Sequence, residues 1–340
     1  MSSFKTRNVG RTGLEVTELG IGSATIAGMN GTVVPIEQGR ATMSAALDAG
    51  VRYFDTAPHY GSGSAEHAVG DALRFRPYAL STKVGRLLKP VRNETDRTVK
   101  HPWTQPFPFE IVYDYSYDGI MRSFEDSLQR LGLGRIDILL VHDIGVQTHG
   151  EEGNRQHWAD LKGGGYRALD ELRSQKLVSA IGLGVNEIPV VMDALEIGDW
   201  DAFLIANRYN LIEQTPLETL FPVCEKRGAS IIAAGPFAAG VLAGTNVWGP
   251  TNGDYQAPPA HIVAKVKALT EVCKAHGVPL PAAALKFALA HPVVCSVLTG
   301  PKSPAELQGI LDWWNTPIPA AFWRDLGAQK LVADGTPLPA

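Results

Sequence analysis

The run Ile136-Asp137-Ile138-Leu139-Leu140-Val141-His142 is short, aliphatic and β-branched, and it ends on an ionisable side chain. A strand with one wet face alternates polar and apolar residues, whereas a run apolar almost throughout suits a strand covered on both faces. Seven more such runs stand at 19–22, 53–55, 79–83, 180–184, 202–206, 230–234 and 293–298. Between them the apolar spacing lengthens to the helical period, at 36–49, 65–73, 117–131, 166–175, 189–197, 217–227, 262–276 and 304–311. The first of these carries Ile36, Met43, Ala46 and Leu47 on one stripe and stops at Gly50. Eight strand–helix units with no linker predict an α/β protein, a (β/α)8 TIM barrel taking in 1–340 as a single domain. Two extra helices, 281–290 and 320–332, fall outside the alternation. Asn8-Val9-Gly10 and Leu14-Glu15-Val16 flank Arg11-Thr12-Gly13, the pattern of an N-terminal hairpin that closes one end of the barrel.

An open doubly wound sheet is the competing architecture, but its dinucleotide fingerprint is missing. Gly20-Ile21-Gly22 is followed by Ser23-Ala24-Thr25, and Gly182-Leu183-Gly184 by Val185-Asn186-Glu187. Gly300-Pro301-Lys302-Ser303 has the ending of a phosphate-binding Walker loop, with Cys295 where the first glycine of that loop belongs.

The chain has 340 residues, 35 of them acidic and 31 basic, for a formal charge of −4. That balance leaves no electrostatic footprint for nucleic acid and no basic run to hold an anionic membrane. Cys224, Cys273 and Cys295 stand singly, which argues against a disulfide framework and against a zinc knuckle, and fits a reducing cytoplasm. The first residues lack the apolar core of a signal peptide, and no apolar run approaches the roughly 18 residues that span a bilayer. The expectation is a cytoplasmic protein acting on a small molecule, as a monomer or small homo-oligomer, with no nucleic-acid or membrane partner and no metal.

One connection, 85–116, is far longer than barrel loops need, and carries Trp103, Phe107, Phe109, Tyr113 and Tyr115. Aromatic content argues against disorder, and a loop after the third barrel strand hangs over the active face. The regions 145–165 and 244–259 read as similar loops, with plain surface excursions as the alternative.

Barrel enzymes place catalytic groups at the carboxyl ends of strands. Here the second strand ends in Asp55 with Tyr60 five residues on, the third ends in Lys83 and the fourth in His142. Singly, each has a duller reading: a helix-capping Asp, a snorkelling Lys, a satisfied core His. Together on neighbouring strands they are complementary. A free tyrosine titrates near about pH 10, and an adjacent ammonium favours the phenolate. A carboxylate holds that ammonium, and a histidine orients a carbonyl or hydroxyl. The set handles a proton on oxygen but contains no nucleophile and no metal cage, so hydride transfer to a nicotinamide is its simplest completion.

These residues carry a resemblance. Asp55-Thr56-Ala57-Pro58-His59-Tyr60-Gly61, with Lys83 and His142, resembles the aldo-keto reductase superfamily over nearly the whole chain. The resemblance implies a (β/α)8 fold, a nicotinamide cofactor bound without a Rossmann domain, and a catalytic tetrad of Asp55, Tyr60, Lys83 and His142, with Tyr60 as general acid/base. It further implies that Asn186 and Asn207 bind the nicotinamide carboxamide, and that Ala234-Gly235-Pro236 stands where the family stacks an aromatic, which puts Pro236 beside the cofactor. Tyr115-Ser116-Tyr117-Asp118, Val141-His142-Asp143 and Gly182-Leu183-Gly184-Val185-Asn186-Glu187 are similar to the aldose 1-dehydrogenase branch and to its relative acting on pyridoxal. Both act on cyclic hemiacetals and yield lactones. The implied activity is thus oxidation of the hemiacetal carbon of an aldose. Pyridoxal oxidation, broad aldehyde reduction and a non-catalytic cofactor-binding barrel are the alternatives.

Sugars present C–H faces that stack on aromatics, so Trp103 is a candidate wall of the substrate site beside His142. The family clamps the phosphate of NADP after the eighth strand, where this chain has Gly300, Lys302 and, at the position of the phosphate-binding arginine, Glu306. A carboxylate accepts from a free ribose hydroxyl and repels a phosphate. The expected cofactor is therefore NAD, with NADP less favoured, and Lys302 is the counter-argument. Glu306 as a plain helix-start acid is the alternative.

Overall fold

The computed structural model describes residues 4–91, 102–245, 247–249 and 256–340. Strands β1 (Thr6–Asn8) and β2 (Glu15–Thr17) form an antiparallel hairpin, followed by β3 (Leu19–Gly22), β4 (Tyr53–Asp55) and β5 (Ala79–Val84). A second hairpin, β6 (Arg86–Pro90) and β7 (Phe109–Tyr113), precedes β8 (Ile138–His142), β9 (Ala180–Val185), β10 (Ala202–Ala206), β11 (Ser230–Ala234) and β12 (Val294–Thr299). β3, β4, β5 and β8 to β12 run parallel and close into an eight-stranded barrel, with β4, β5 and β8 side by side. The helices are α1 (Ile36–Asp48), α2 (Ser64–Leu73), α3 (Tyr117–Leu131), α4 (Val146–Asp160), α5 (Tyr166–Ser174), α6 (Ile188–Leu195), α7 (Pro216–Arg227), α8 (Ala260–His276), α9 (Leu280–Phe287), α10 (Pro304–Asn315) and α11 (Ala320–Ala328). This is the (β/α)8 barrel that the alternation predicts, with α9 and α11 as the two extra helices. Among the described residues no helix is long and apolar enough to cross a membrane.

The two-residue period of a strand sorts the barrel side chains. Tyr53, Ala79, Ile138, Leu140, Ala180, Ala202 and Ile232 point inward and pack with Val9 and Val16 of the first hairpin, which plugs the floor. Phe54, Leu80, Leu139, Val141, Ile181 and Phe203 point outward into the larger core under the helices. Each such side chain contributes roughly 1.5–3 kcal/mol on burial. Asp55, Lys83 and His142 continue the inward phase of Tyr53, Ala79 and Leu140, so they form the top layer of the interior. The same alternation that builds the core delivers ionisable groups to the mouth.

Three expectations need correction. The floor hairpin pairs 6–8 with 15–17, not 8–10 with 14–16, because the turn is wider and is tied internally by Val9 N–H donating to Leu14 O and Thr12 Oγ1 donating to Val9 O. The region 145–165 is not a loop: α4 fills 146–160 and runs through a π-turn, Leu161–Gly165, into α5. Its sequence gives no apolar stripe, since Trp158 is the one buried residue of α4, and its glycines read as breakers. The connection 85–116 opens with the β6–β7 hairpin, whose half-exposed side chains show little alternation. Positions 92–101 of that connection and 246 and 250–255 of the region 244–259 lie outside the described residues. In the rest of 244–259, Trp248 bridges Gln256.

Candidate active site

β4, β5 and β8 deliver Asp55, Lys83 and His142, and the turn after β4 delivers Tyr60. The Lys83 ammonium donates to Asp55 Oδ2 at 2.7 Å and to the Thr56 carbonyl at 2.9 Å. Ser81, two residues before Lys83 on the same inward face, donates to Asp55 Oδ1 at 2.6 Å and bonds the Tyr53 hydroxyl at 2.9 Å. Asp55 and Lys83 are 2% and 1% exposed, so the pair is desolvated and its satisfaction is obligatory. Room for the lysine comes from β9: a β-carbon on Gly184 would stand 3.1 Å from Lys83 Cε.

The ammonium lies 4.7 Å from the centre of the Tyr60 ring. Tyr60 meets His142 edge-on at 5.8 Å between ring centres and tilts against Trp103 at 5.6 Å. His59 closes the circle, 5.1 Å from Trp103 and 5.9 Å from His142. Trp103 is fixed there by backbone pairing between two loops: it bridges Met29, Asn30 N–H donates to Pro102 O, and Thr104 N–H donates to Gly28 O. The described part of the connection around Trp103 therefore reaches the barrel mouth, and Trp103 stands against Tyr60.

Burial pushes the Tyr60 hydroxyl up to about 12, and the lowering by Lys83 does not cancel it. The expected lowering by Lys83 is present, and burial outweighs it. Burial opposes the charge on Lys83, yet Asp55 and Tyr60 hold its pKa above the ordinary lysine value. Burial, reinforced by Arg86 and Lys83, holds both His142 and His59 well below the usual histidine range, so both are neutral at pH 7.

The opposite half of the rim carries orphaned polar atoms. Asn207 Oδ1 beyond β10, Thr299 Oγ1 at the end of β12 and Ser23 Oγ beyond β3 are enclosed without a hydrogen-bond partner. Asn207 adopts φ +59°, and a β-carbon on Gly235 would fall 2.2 Å from its Oδ1. That contact explains why a large residue does not precede the buried Pro236. Asn186 Nδ2 donates to Ala206 O at 3.1 Å, which fixes it beside the same strand end. Gly300 is exposed at the end of β12. Glu306 is committed to local structure: its carboxylate accepts the Lys302 N–H at 3.0 Å and pairs with the Lys302 ammonium at 3.3 Å, while Ser303 Oγ caps Glu306 N–H. With Ser303 three residues before Glu306, this closely resembles a capping box. Ser81, Arg86 and Asp143 enter the site without having been singled out in the sequence. A hydroxyl two residues before a strand-end lysine was the available signal for Ser81.

A half-buried phenol beside a buried ammonium, carboxylate and neutral imidazole, with an aromatic wall, can move a proton on or off a substrate oxygen. Among the described residues no three His, Cys, Asp or Glu side chains are placed to hold a metal ion. The sequence pattern of the Aldo/keto reductase family matches residues 18–328. A pyridoxal 4-dehydrogenase from Microbacterium luteolum is 42% identical over 98% of this chain and 99% of its own length. A D-threo-aldose 1-dehydrogenase from a Pseudomonas species is 32% identical over 94% and 96%. Among solved structures, an aldo-keto reductase from Bacillus halodurans in its holo form superposes with a TM-score of 0.71 at 25% identity, covering 97% of this chain and 96% of that one.

Proposed function

Because this chain belongs to the aldo/keto reductase family, oxidoreductases that work with nicotinamide cofactors, we propose that it oxidises the hemiacetal carbon of a cyclic substrate to a lactone. The observation that carries this reading is the Asp55–Lys83 pair set against Tyr60 and His142 under Trp103. Identity of 42% over nearly full length to the pyridoxal enzyme, against 32% to the aldose enzyme, supports pyridoxal as substrate ahead of an aldose. That reverses the order suggested by the sequence. The aromatic wall suits a flat pyridine ring at least as well as a sugar face.

Bound nicotinamide supplies the hydride acceptor. The orphaned Asn207 Oδ1 fits it, since a carboxamide N–H is the donor that this enclosed oxygen lacks. Asn186, Pro236, Gly300 and Lys302 line the same half of the rim in this reading. Tyr60 takes the proton of the substrate hydroxyl as the hydride leaves the same carbon, Lys83 stabilises the phenolate, Asp55 holds Lys83, and His142 positions the oxygen. A Tyr60 hydroxyl near 12 is a phenol at neutral pH, the form that protonates a carbonyl oxygen, and this favours aldehyde reduction as the second reading.

The test is absorbance at 340 nm with NAD or NADP against pyridoxal, a panel of aldoses and simple aldehydes. Reduction of NAD with pyridoxal, with lactone recovered, is the expected result. Turnover of simple aldehydes alone would overturn it. Trp103→Leu keeps apolar volume but removes the ring, and should raise KM for pyridoxal about three- to tenfold, the equivalent of about 0.5–1.5 kcal/mol of stacking. An unchanged KM would show that the loop only encloses the site.

Lys302 is paired with Glu306, which supports NAD over NADP, since a carboxylate beside that ammonium opposes a ribose phosphate. Glu306→Arg should shift the NADP/NAD ratio of kcat/KM upward by at least about tenfold, at the expense of the bond to Lys302 N–H. Equal use of both cofactors by the unmodified protein would reject that assignment.

A further inference from the structure

Val141-His142-Asp143 ends on a residue that the reading above leaves unused. Asp143 stands at φ +41°, in the left-handed region that residues with a β-carbon seldom adopt. Its N–H donates to Gly184 O at 2.9 Å. Its Oδ2 accepts from Arg86 Nη2 at 2.8 Å and stands 3.4 Å from His142 Nε2. Arg86 is 4% exposed, lies three residues beyond Lys83 and covers the Tyr113 ring at 5.5 Å. A strained backbone and a buried arginine thus converge on one carboxylate beside the imidazole.

A carboxylate only accepts, so at 3.4 Å it favours a hydrogen on the ring nitrogen that faces it. The other, Nδ1, is enclosed and has no protein partner. We infer that Asp143, held by Arg86, is a positioning residue that fixes His142 as the Nε2–H tautomer and leaves the Nδ1 lone pair for a substrate hydroxyl. This deepens the proposed function and rests on its placement of His142 against the substrate. It makes His142 an acceptor, which selects the hydroxyl-bearing hemiacetal over a free carbonyl. Other groups facing the ring are Tyr60, His59, Lys83 and Arg86, and the Tyr115 hydroxyl donates to the His142 carbonyl at 2.8 Å. The positive neighbours and burial keep the imidazole neutral, as a tautomer-based role requires.

The test is ¹⁵N NMR of the histidine-labelled protein without substrate, with the His142 signals identified by their loss in His142→Gln. The unmodified protein should show a protonated Nε2 and a bare Nδ1. Asp143→Asn, whose side chain tolerates positive φ and still offers Arg86 an amide oxygen, should populate the Nδ1–H form and lower kcat/KM for hemiacetal oxidation at least about tenfold, with a lowered melting temperature because a buried pair is broken. Arg86→Gln removes the guanidinium from the Asp143 carboxylate and from the vicinity of the ring, so His142 should titrate at higher pH and the acid limb of kcat/KM should move up. If Arg86→Gln does not fold, Arg86→Lys should leave that limb near the unmodified position. A protonated Nδ1 in the unmodified protein, or an identical tautomer in Asp143→Asn, overturns the inference. Those spectra stand apart from the activity assay: if no hemiacetal is oxidised but the tautomer is as stated, the functional reading fails and the tautomer assignment survives.

Discussion

Tyr60→Phe should lower kcat for hemiacetal oxidation by about 10²–10⁴-fold and leave cofactor affinity and melting temperature close to unmodified values. The ring stays, so the tilted contact with Trp103 and the edge contact with His142 persist. What is lost is the hydroxyl beside the Lys83 ammonium. With burial pushing the hydroxyl up to about 12, the phenol is the dominant form at pH 7, so oxidation through this group should accelerate as pH rises. The variant should lack that alkaline rise as well as the rate. A Tyr60→Phe enzyme with undiminished kcat and the same pH slope would require a different proton acceptor.

Why the barrel was legible and parts of the site were not follows from where information sits in a chain. Strands such as 202–206 and 230–234 are apolar because both faces are covered, and α3 is bounded as expected because Ser116 caps its start and Gly132 its end. These are local constraints, written within a few residues. Asp55, Lys83 and His142 were legible because each follows an apolar run as an ionisable exception. Arg86 and Asp143 were not, because their meaning lies in a contact across 57 residues, formed only once β5 and β8 are neighbours. α4 failed for another reason: it lies on the hairpin and loops with little apolar surface of its own, so no periodicity marks it. The net pKa of Tyr60 was equally unreadable, since a sequence names the neighbouring ammonium but not the depth of burial. The role of Glu306 turned on a reciprocal cap whose Ser-x-x-Glu spacing stood in the sequence, in competition with the cofactor reading.

Lys83→Met should be the most damaging single change to stability at the site, because it strands Asp55. The carboxylate would keep the Ser81 hydroxyl but lose the cation 2.7 Å away, in a place 2% exposed. Breaking a buried pair in this way costs about 3–5 kcal/mol, which for a chain of this size lowers the melting temperature by roughly 4–7 °C. The double variant Lys83→Met/Asp55→Asn separates what the pair does for folding from what it does for chemistry. With no charge left to strand, its melting temperature should return most of the way, since a neutral replacement for a buried pair is often close to neutral in stability. Turnover should not return, because Tyr60 then has no ammonium to lower its hydroxyl. A double variant as unstable as the single one would mean that the cost lies in lost packing around the lysine stem instead of in an unpaired charge. Recovery of turnover alongside stability would sink the assignment of Lys83 as the group that makes the Tyr60 proton transferable.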